Sequence, residues 1–235
     1  MDYLRAALFY TGLAVNTLVW SVLILLARPL PFAARERLAK AWCHGVLGML
    51  RLAWGISYRV EGVDNLPHGP AVLMANHESA WETIGLRAAI DRPMNWVLKE
   101  ELLRIPLYGW ALRALEEISI DRNAGRDALR KVEADGVDRL GKGRWVVIFP
   151  EGTRSAPGEV TKFGQGGSRL AVAAGAPVVP VAHNAGYYWP NEGWRKRPGT
   201  ITVRIGAPID TQEGKAAAVN REVEAWITEQ VHDLA

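Results

Sequence analysis

Between Arg5 and Arg28 the chain runs through residues 6–27 without a charged side chain. A helix rises about 1.5 Å per residue, so these 22 residues reach roughly 33 Å, enough to cross a hydrocarbon core of ~30 Å. Thr11, Asn16, Thr17 and Ser21 interrupt the apolar character. A tilted or re-entrant helix at the membrane interface is therefore open beside a spanning one. A cleaved leader fits poorly. The run is too long, only Asp2 and Arg5 are charged ahead of it, and Arg28-Pro29-Leu30-Pro31 stands where small residues belong. The expectation is a retained membrane anchor.

A second segment, 33–54, carries Arg37, Lys40, His44 and Arg51 near helical spacing, with Trp42, Val46, Leu47, Met49, Leu50, Ala53 and Trp54 on the remaining faces. It reads as a basic amphipathic helix, lying either in a membrane interface or on a protein core with its basic stripe in water. More Lys and Arg follow the apolar run than precede it. If the run spans, the downstream chain lies on the cytoplasmic side of the inner membrane. Charge is partitioned the same way. Residues 1–55 hold six basic and two acidic side chains, which leaves 28 − 6 = 22 basic and 25 − 2 = 23 acidic for the rest. The net +3 thus belongs to the N-terminal arm, a candidate for membrane lipid, and no nucleic-acid partner is expected. The single cysteine, Cys43, excludes an internal disulfide. Ten tryptophans suit surfaces that are apolar at one end and wet at the other.

From residue 56 onward the texture changes. Short apolar runs at 56–61, 71–75, 95–99, 118–121, 145–149, 178–182 and 200–205 read as strands. Helical patterns fall at 81–90, 108–115, 124–140, 167–174 and 215–234. This alternation predicts an α/β fold with a largely parallel central sheet flanked by helices, whose chemistry collects beyond the strand C-termini. The expected division is a membrane-associating pair of helices, 1–55, and an α/β domain, 56–235. The polar, basic stretch 191–198 has no evident role.

Several motifs fail on inspection. His77-Glu78-Ser79-Ala80-Trp81 begins like a zinc-protease helix, but Trp81 stands where the second His belongs. The glycines from Gly136 to Gly141-Lys142 have P-loop spacing, yet Gly143 replaces the Ser or Thr and the first Gly lies in a helical pattern. Gly164-Gln165-Gly166-Gly167 does not complete a dinucleotide fingerprint, and there is no Gly-x-Ser-x-Gly elbow.

Four strand ends survive. After strand 71–75 comes Asn76-His77-Glu78-Ser79-Ala80-Trp81-Glu82. Within one helix His77 and Glu82 would be rotated by about 500°, leaving them about 140° apart. They can meet only if His77 sits in the turn and Glu82 in the first helical turn. Ser79 and Glu82 have capping-box spacing, which starts the helix near Ser79. Two readings stay open. Ser79 and Glu82 simply cap a helix beside a loop histidine. Alternatively His77 is a general base for a substrate hydroxyl, Glu82 orients its ring, and the helix N–H groups face a developing oxyanion. After strand 145–149, Phe149-Pro150-Glu151-Gly152-Thr153-Arg154-Ser155 forms a turn that puts Arg154 at the sheet edge, available to a phosphate. Arg122 and Lys99 follow or end two further strands, so three cations suggest one anion site. Pro177 and Pro180 bracket an apolar strand, and His183 after it reads as a structural or loop histidine.

This succession resembles the glycerolipid acyltransferase family, specifically the 1-acylglycerol-3-phosphate acyltransferases. That family shows His-x4-Asp, a strand ending in Arg, Phe-Pro-Glu-Gly-Thr-Arg-Ser and a Pro-bracketed apolar strand, in the order found from Asn76 to Val181. The resemblance implies His77 as the base and Glu82 as the orienting acid. It also implies a glycerol-phosphate site of Arg122, Glu151, Gly152, Thr153 and Arg154, with Lys99 near that phosphate, and an N-terminal two-helix membrane motif. Two departures stand out. Glu82 replaces the family's usual Asp, and Gly164 stands where relatives often carry Lys after an aromatic residue, here Phe163 with Lys162 before it.

The implied reaction moves an acyl group from an acyl thioester, acyl-CoA or an acyl carrier protein, to the sn-2 hydroxyl of lysophosphatidate, giving phosphatidate. It needs no metal, no further cofactor and no covalent enzyme intermediate. Open alternatives are the same transfer to lyso-ornithine lipid or another lysophospholipid, a thioester hydrolase, and a non-catalytic binder of anionic membranes.

Overall fold

The computed structural model describes residues 2–121, 124–212 and 214–235. Helices α1 (Asp2–Leu26) and α2 (Phe32–Trp54) form an antiparallel hairpin across the turn at 27–31. Pro31 opens α2 and Gly55, at φ +66°, closes it in the left-handed conformation that favours glycine. In α2 the side chains Glu36, Ala39, Cys43, Val46, Leu50 and Trp54 are buried, spaced three or four apart. That stripe packs on the α/β body, while Arg37, His44 and Arg51 are exposed. The amphipathic helix therefore covers the body with one face and offers a basic face outward. In α1 only 17% of the most apolar 18-residue window is buried. This helix is long and apolar enough to cross a membrane.

The body is a seven-stranded sheet: β1 (Ile56–Glu61), β2 (Val72–Ala75), β3 (Met94–Lys99), β4 (Ile118–Ile120), β5 (Trp145–Ile148), β6 (Val178–His183) and β7 (Gly199–Ile205), in the order β1-β7-β6-β2-β5-β3-β4. Five adjacent strands, β6 to β4, run parallel; β7 is antiparallel to β6 and parallel to β1. The sheet is thus largely parallel, as the alternating pattern predicts, with one reversal. The central strands β2 and β5 are buried at every residue, which is why they read as unbroken apolar runs.

Helices α3 (Trp81–Ala89), α4 (Tyr108–Ala114), α5 (Gly125–Gly141), α6 (Gly166–Ala174), α7 (Ala185–Tyr188) and α8 (Ala216–Asp233) complete the chain. Along β2, Leu73 and Ala75, with Ala71 just before the strand, enter the core shared with α1, α2 and α3. Val72 and Met74 enter the opposite core under α5, α6 and α8. This period-two split makes three layers, helix on sheet on helix. Most element bounds shift by a residue from the expected ones: β2 begins at Val72, β3 at Met94, α5 at Gly125 and α6 at Gly166. The short helix α7 and the 3₁₀ turns Val63–Asn65 and Glu100–Arg104 have no clear periodic signal.

Candidate active site

The parallel block leaves the C-terminal ends of β2, β5, β3 and β4 side by side. At the end of β2 the Asn76 side chain continues the ladder to β6. Its Nδ2 donates to the His183 carbonyl at 2.9 Å and its Oδ1 accepts from the His183 N–H at 3.0 Å. The Ala185 N–H donates to His183 Nδ1, so Nε2 carries the proton and donates to the Asn76 carbonyl at 2.8 Å. His183 is fully buried in this network, in line with its reading as a structural histidine.

The next residue, His77, is clamped on both sides. Its N–H donates to Glu151 Oε1 at 2.8 Å, and its carbonyl accepts from the Ser155 N–H at 2.8 Å. Its ring stacks on Phe149, with centroids 4.2 Å apart and planes 10° from parallel. Nδ1 lies 2.6 Å from Glu82 Oε1. A buried carboxylate there fixes the proton on Nδ1 and leaves the Nε2 lone pair for an incoming hydroxyl.

Glu82 sits in the first turn of α3 and is completely buried. The same Oε1 also accepts from the Ser79 N–H at 2.8 Å and the Glu78 N–H at 3.0 Å. Burial pushes the Glu82 carboxyl up. The hydrogen bond with His77, the electrostatic pull of the His183 and His77 rings, and the Ser79 N–H outweigh it and hold the group below the usual carboxylate range. The Ser79 hydroxyl accepts from the Trp81 N–H at 3.0 Å, and the helix begins at Trp81, where the pattern 81–90 predicts it. The capping carboxylate is also the one that holds the imidazole. At this helix start the N–H groups of Glu78, Ser79 and Trp81 are taken by Glu82 and Ser79.

After β5 the chain turns at Gly152, whose φ of +72° demands glycine. Glu151 points inward. Besides holding His77, it accepts from the Ser155 hydroxyl at 2.7 Å and from the Thr161 N–H and hydroxyl at 3.2 and 3.1 Å. Gly152, Thr153 and Arg154 are exposed at the sheet edge, where Arg154 donates to Asn191 at 2.8 Å. Lys99 ends β3, exposed and in register with Ile120 of β4. Arg122 lies outside the described residues. Phe149, Ser155 and Asn76 frame His77 without having been singled out by residue type. Their signal was position alone, next to the motif residues.

A model of the family described as Acyltransferase matches residues 57–184, from the start of β1 to just past β6. A 1-acyl-sn-glycerol-3-phosphate acyltransferase of Pseudomonas aeruginosa is 44% identical over 238 residues, covering 99% of this chain and 92% of its own. The chain belongs to the acyltransferase family. This acyltransferase is also 27% identical to a 1-acyl-sn-glycerol-3-phosphate acyltransferase of Cocos nucifera over 225 residues, covering 95% of this chain and 72% of the relative. The crystal structure of the 1-acyl-sn-glycerophosphate acyltransferase of Thermotoga maritima superimposes with a TM-score of 0.83 at 26% identity. That match covers 99% of this acyltransferase and 95% of the other chain, so it includes α1 and α2.

Proposed function

We propose that this acyltransferase moves an acyl group from an acyl thioester to the sn-2 hydroxyl of 1-acylglycerol-3-phosphate, giving phosphatidate. The observation that carries the reading is the His77–Glu82 pair at 2.6 Å beside strand ends that bear Lys99 and Arg154. His77 Nε2 takes the proton of the acceptor hydroxyl while the oxygen attacks the thioester carbonyl. The tetrahedral intermediate breaks its C–S bond, and the thiolate of coenzyme A or acyl carrier protein leaves with the proton from the imidazolium. Glu82 stabilises the imidazolium between the two steps. Lys99, Arg122, Arg154 and the Gly152–Thr153 turn hold the acceptor phosphate, while Glu151 acts on His77 from the rear.

The reading places the protein on the inner membrane, body facing the cytoplasm. α1 touches the body near both ends: Tyr3 stacks on Trp194 at 4.5 Å, and Ile24 clusters with Ala111 and Ala114 of α4 and with Leu115 just after it. A helix tied to the body at both ends lies along the interface and buries its free face in one leaflet. The similarity to relatives named for lysophosphatidate supports the acceptor. The test is thioester consumption by the membrane-reconstituted protein, with and without lysophosphatidate. Acceptor-dependent thiol release that His77→Ala abolishes in a folded, membrane-bound protein is expected. Full turnover by that variant would sink the mechanism, and preference for another lyso-lipid in an acceptor panel would sink the substrate.

A further inference from the structure

The basic loop 191–198 closes over the ends of the N-terminal helices. Lys196 is 5% exposed, and its Nζ lies over four rings: Tyr10 at 4.5 Å, Phe9 at 4.6 Å, Trp189 at 4.8 Å and Trp54 at 5.3 Å. It donates to the Tyr10 hydroxyl at 3.0 Å and pairs with no carboxylate among the described residues. Burial pushes the ammonium down to about 8. Beside it opens a cleft of about 430 Å³ lined by Arg5, Arg51 and Arg195, with Asp2 as its one carboxylate. None of the three arginines forms an ion pair among the described residues; Arg195 lies over the Trp194 ring at 5.2 Å. Cations gathered so closely repel one another until an anion joins them.

The rim says which anion. Leu52, in the cleft's lining, is 89% exposed, and Tyr3 and Leu4, between the lining residues Asp2 and Arg5 of α1, are 74% and 67% exposed. An amphiphile fits both surfaces, its phosphate among the guanidinium groups and its chains along the helix. The cleft is also distinct from the catalytic pair. It shares the sheet edge that carries them, because β7 runs antiparallel to β6, but it lies at Gly55 and Pro198 before β1 and β7, the two strands beyond β6, and none of its lining residues belongs to 76–82 or 149–155; Arg154 meets the far part of the loop at Asn191. We propose that Arg5, Arg51 and Arg195, over the buried Lys196, bind the phosphate of an anionic membrane phospholipid at a site separate from the catalytic one.

The test is flotation of the full chain with phosphatidylcholine vesicles, with and without phosphatidylglycerol. Arg51→Gln and Arg195→Gln are compared with Arg37→Gln, which removes the same charge from the exposed face of α2 outside the cleft. Diffuse attraction contributes ~1 kcal/mol per basic residue, so Arg37→Gln should weaken phosphatidylglycerol-dependent binding about fivefold. Each cleft variant should weaken it about tenfold or more, because charge-assisted hydrogen bonds are lost as well. Equal losses in all three would overturn the site. Inorganic phosphate and coenzyme A at matched ionic strength should not displace the vesicles; displacement by either would overturn the lipid as its ligand. Arg51→Lys and Arg195→Lys keep the charge and guard against misfolding. They should bind less tightly than the parent, and unchanged binding would count against a guanidinium site.

Discussion

The Oε1 atom of Glu82 accepts from His77, Ser79 and Glu78, while Oε2 is buried with no hydrogen-bond partner among the described residues. One oxygen therefore ties the helix start to the His77 imidazole. The longer side chain suits this geometry, because it must reach from the first turn of α3 back to residues 77–79. Glu82→Gln keeps the size and one acceptor oxygen, yet it cannot stabilise an imidazolium and can present an NH₂ to Nδ1, which flips the tautomer. Turnover should fall by about 10²–10⁴-fold with little change in melting temperature. A variant that melts normally and turns over normally would leave Glu82 as a cap alone. The capping spacing of Ser79 and Glu82 was legible in the sequence, and so was the need for His77 in the turn. The inward path of Glu151 was not. Its partners Ser155 and Thr161 lie four and ten residues on, and only the folded turn directs the carboxylate to His77 instead of to solvent.

At the scale of elements, a buried ion cluster joins the N-terminal hairpin to α3, the helix that carries Glu82. Arg87 of α3 bonds Glu36 of α2 at 3.2 Å and also Glu117, which accepts from the Trp96 N–H of β3. All three side chains are buried. Two carboxylates share one guanidinium, and burial pushes Glu117 up to about 7, against the pull of Arg87 and the Trp96 N–H. Arg87→Met preserves bulk but strands both acids. It should destabilise the fold by about 3–5 kcal/mol in urea unfolding. A loss under ~1 kcal/mol, the size of an exposed pair, would show that the cluster does not couple the helices. Nothing in the sequence marks these residues as partners, since they are 51 and 30 positions apart. Strand direction was hidden for a similar reason. The runs that became β6 and β7 both read as strands, but their antiparallel pairing follows from the path of α7 and loop 189–198, which periodicity does not encode.

For the whole molecule the decisive balance is between the two faces of α1. Ala6, Phe9, Ser21 and Ile24 are buried against the body, whereas Val15, Leu18 and Val19 are 49–55% exposed. A core helix of a soluble protein would be mostly covered. Here a long apolar face remains open beside the exposed Leu52 and Leu30. Water is a poor solvent for a patch of this kind, and a lipid interface is a good one. Such a surface, set next to the basic face of α2, also explains why the long apolar run and the net positive charge both fall in the first 55 positions. The length of the apolar run was legible in the sequence, but which side chains face the body and which face outward was not, because α1 is apolar nearly all round. The exposed face can be altered without touching the packed one. Leu18→Ser and Val19→Ser should each remove about 1.5–3 kcal/mol of lipid contact at most, or roughly one to two decades of partitioning when fully embedded. The double variant should move from the membrane to the soluble fraction with an unchanged unfolding transition, because neither side chain packs on the body. Retention on membranes after that change would mean that the face is covered by protein instead, and that the basic arm alone holds the molecule to lipid.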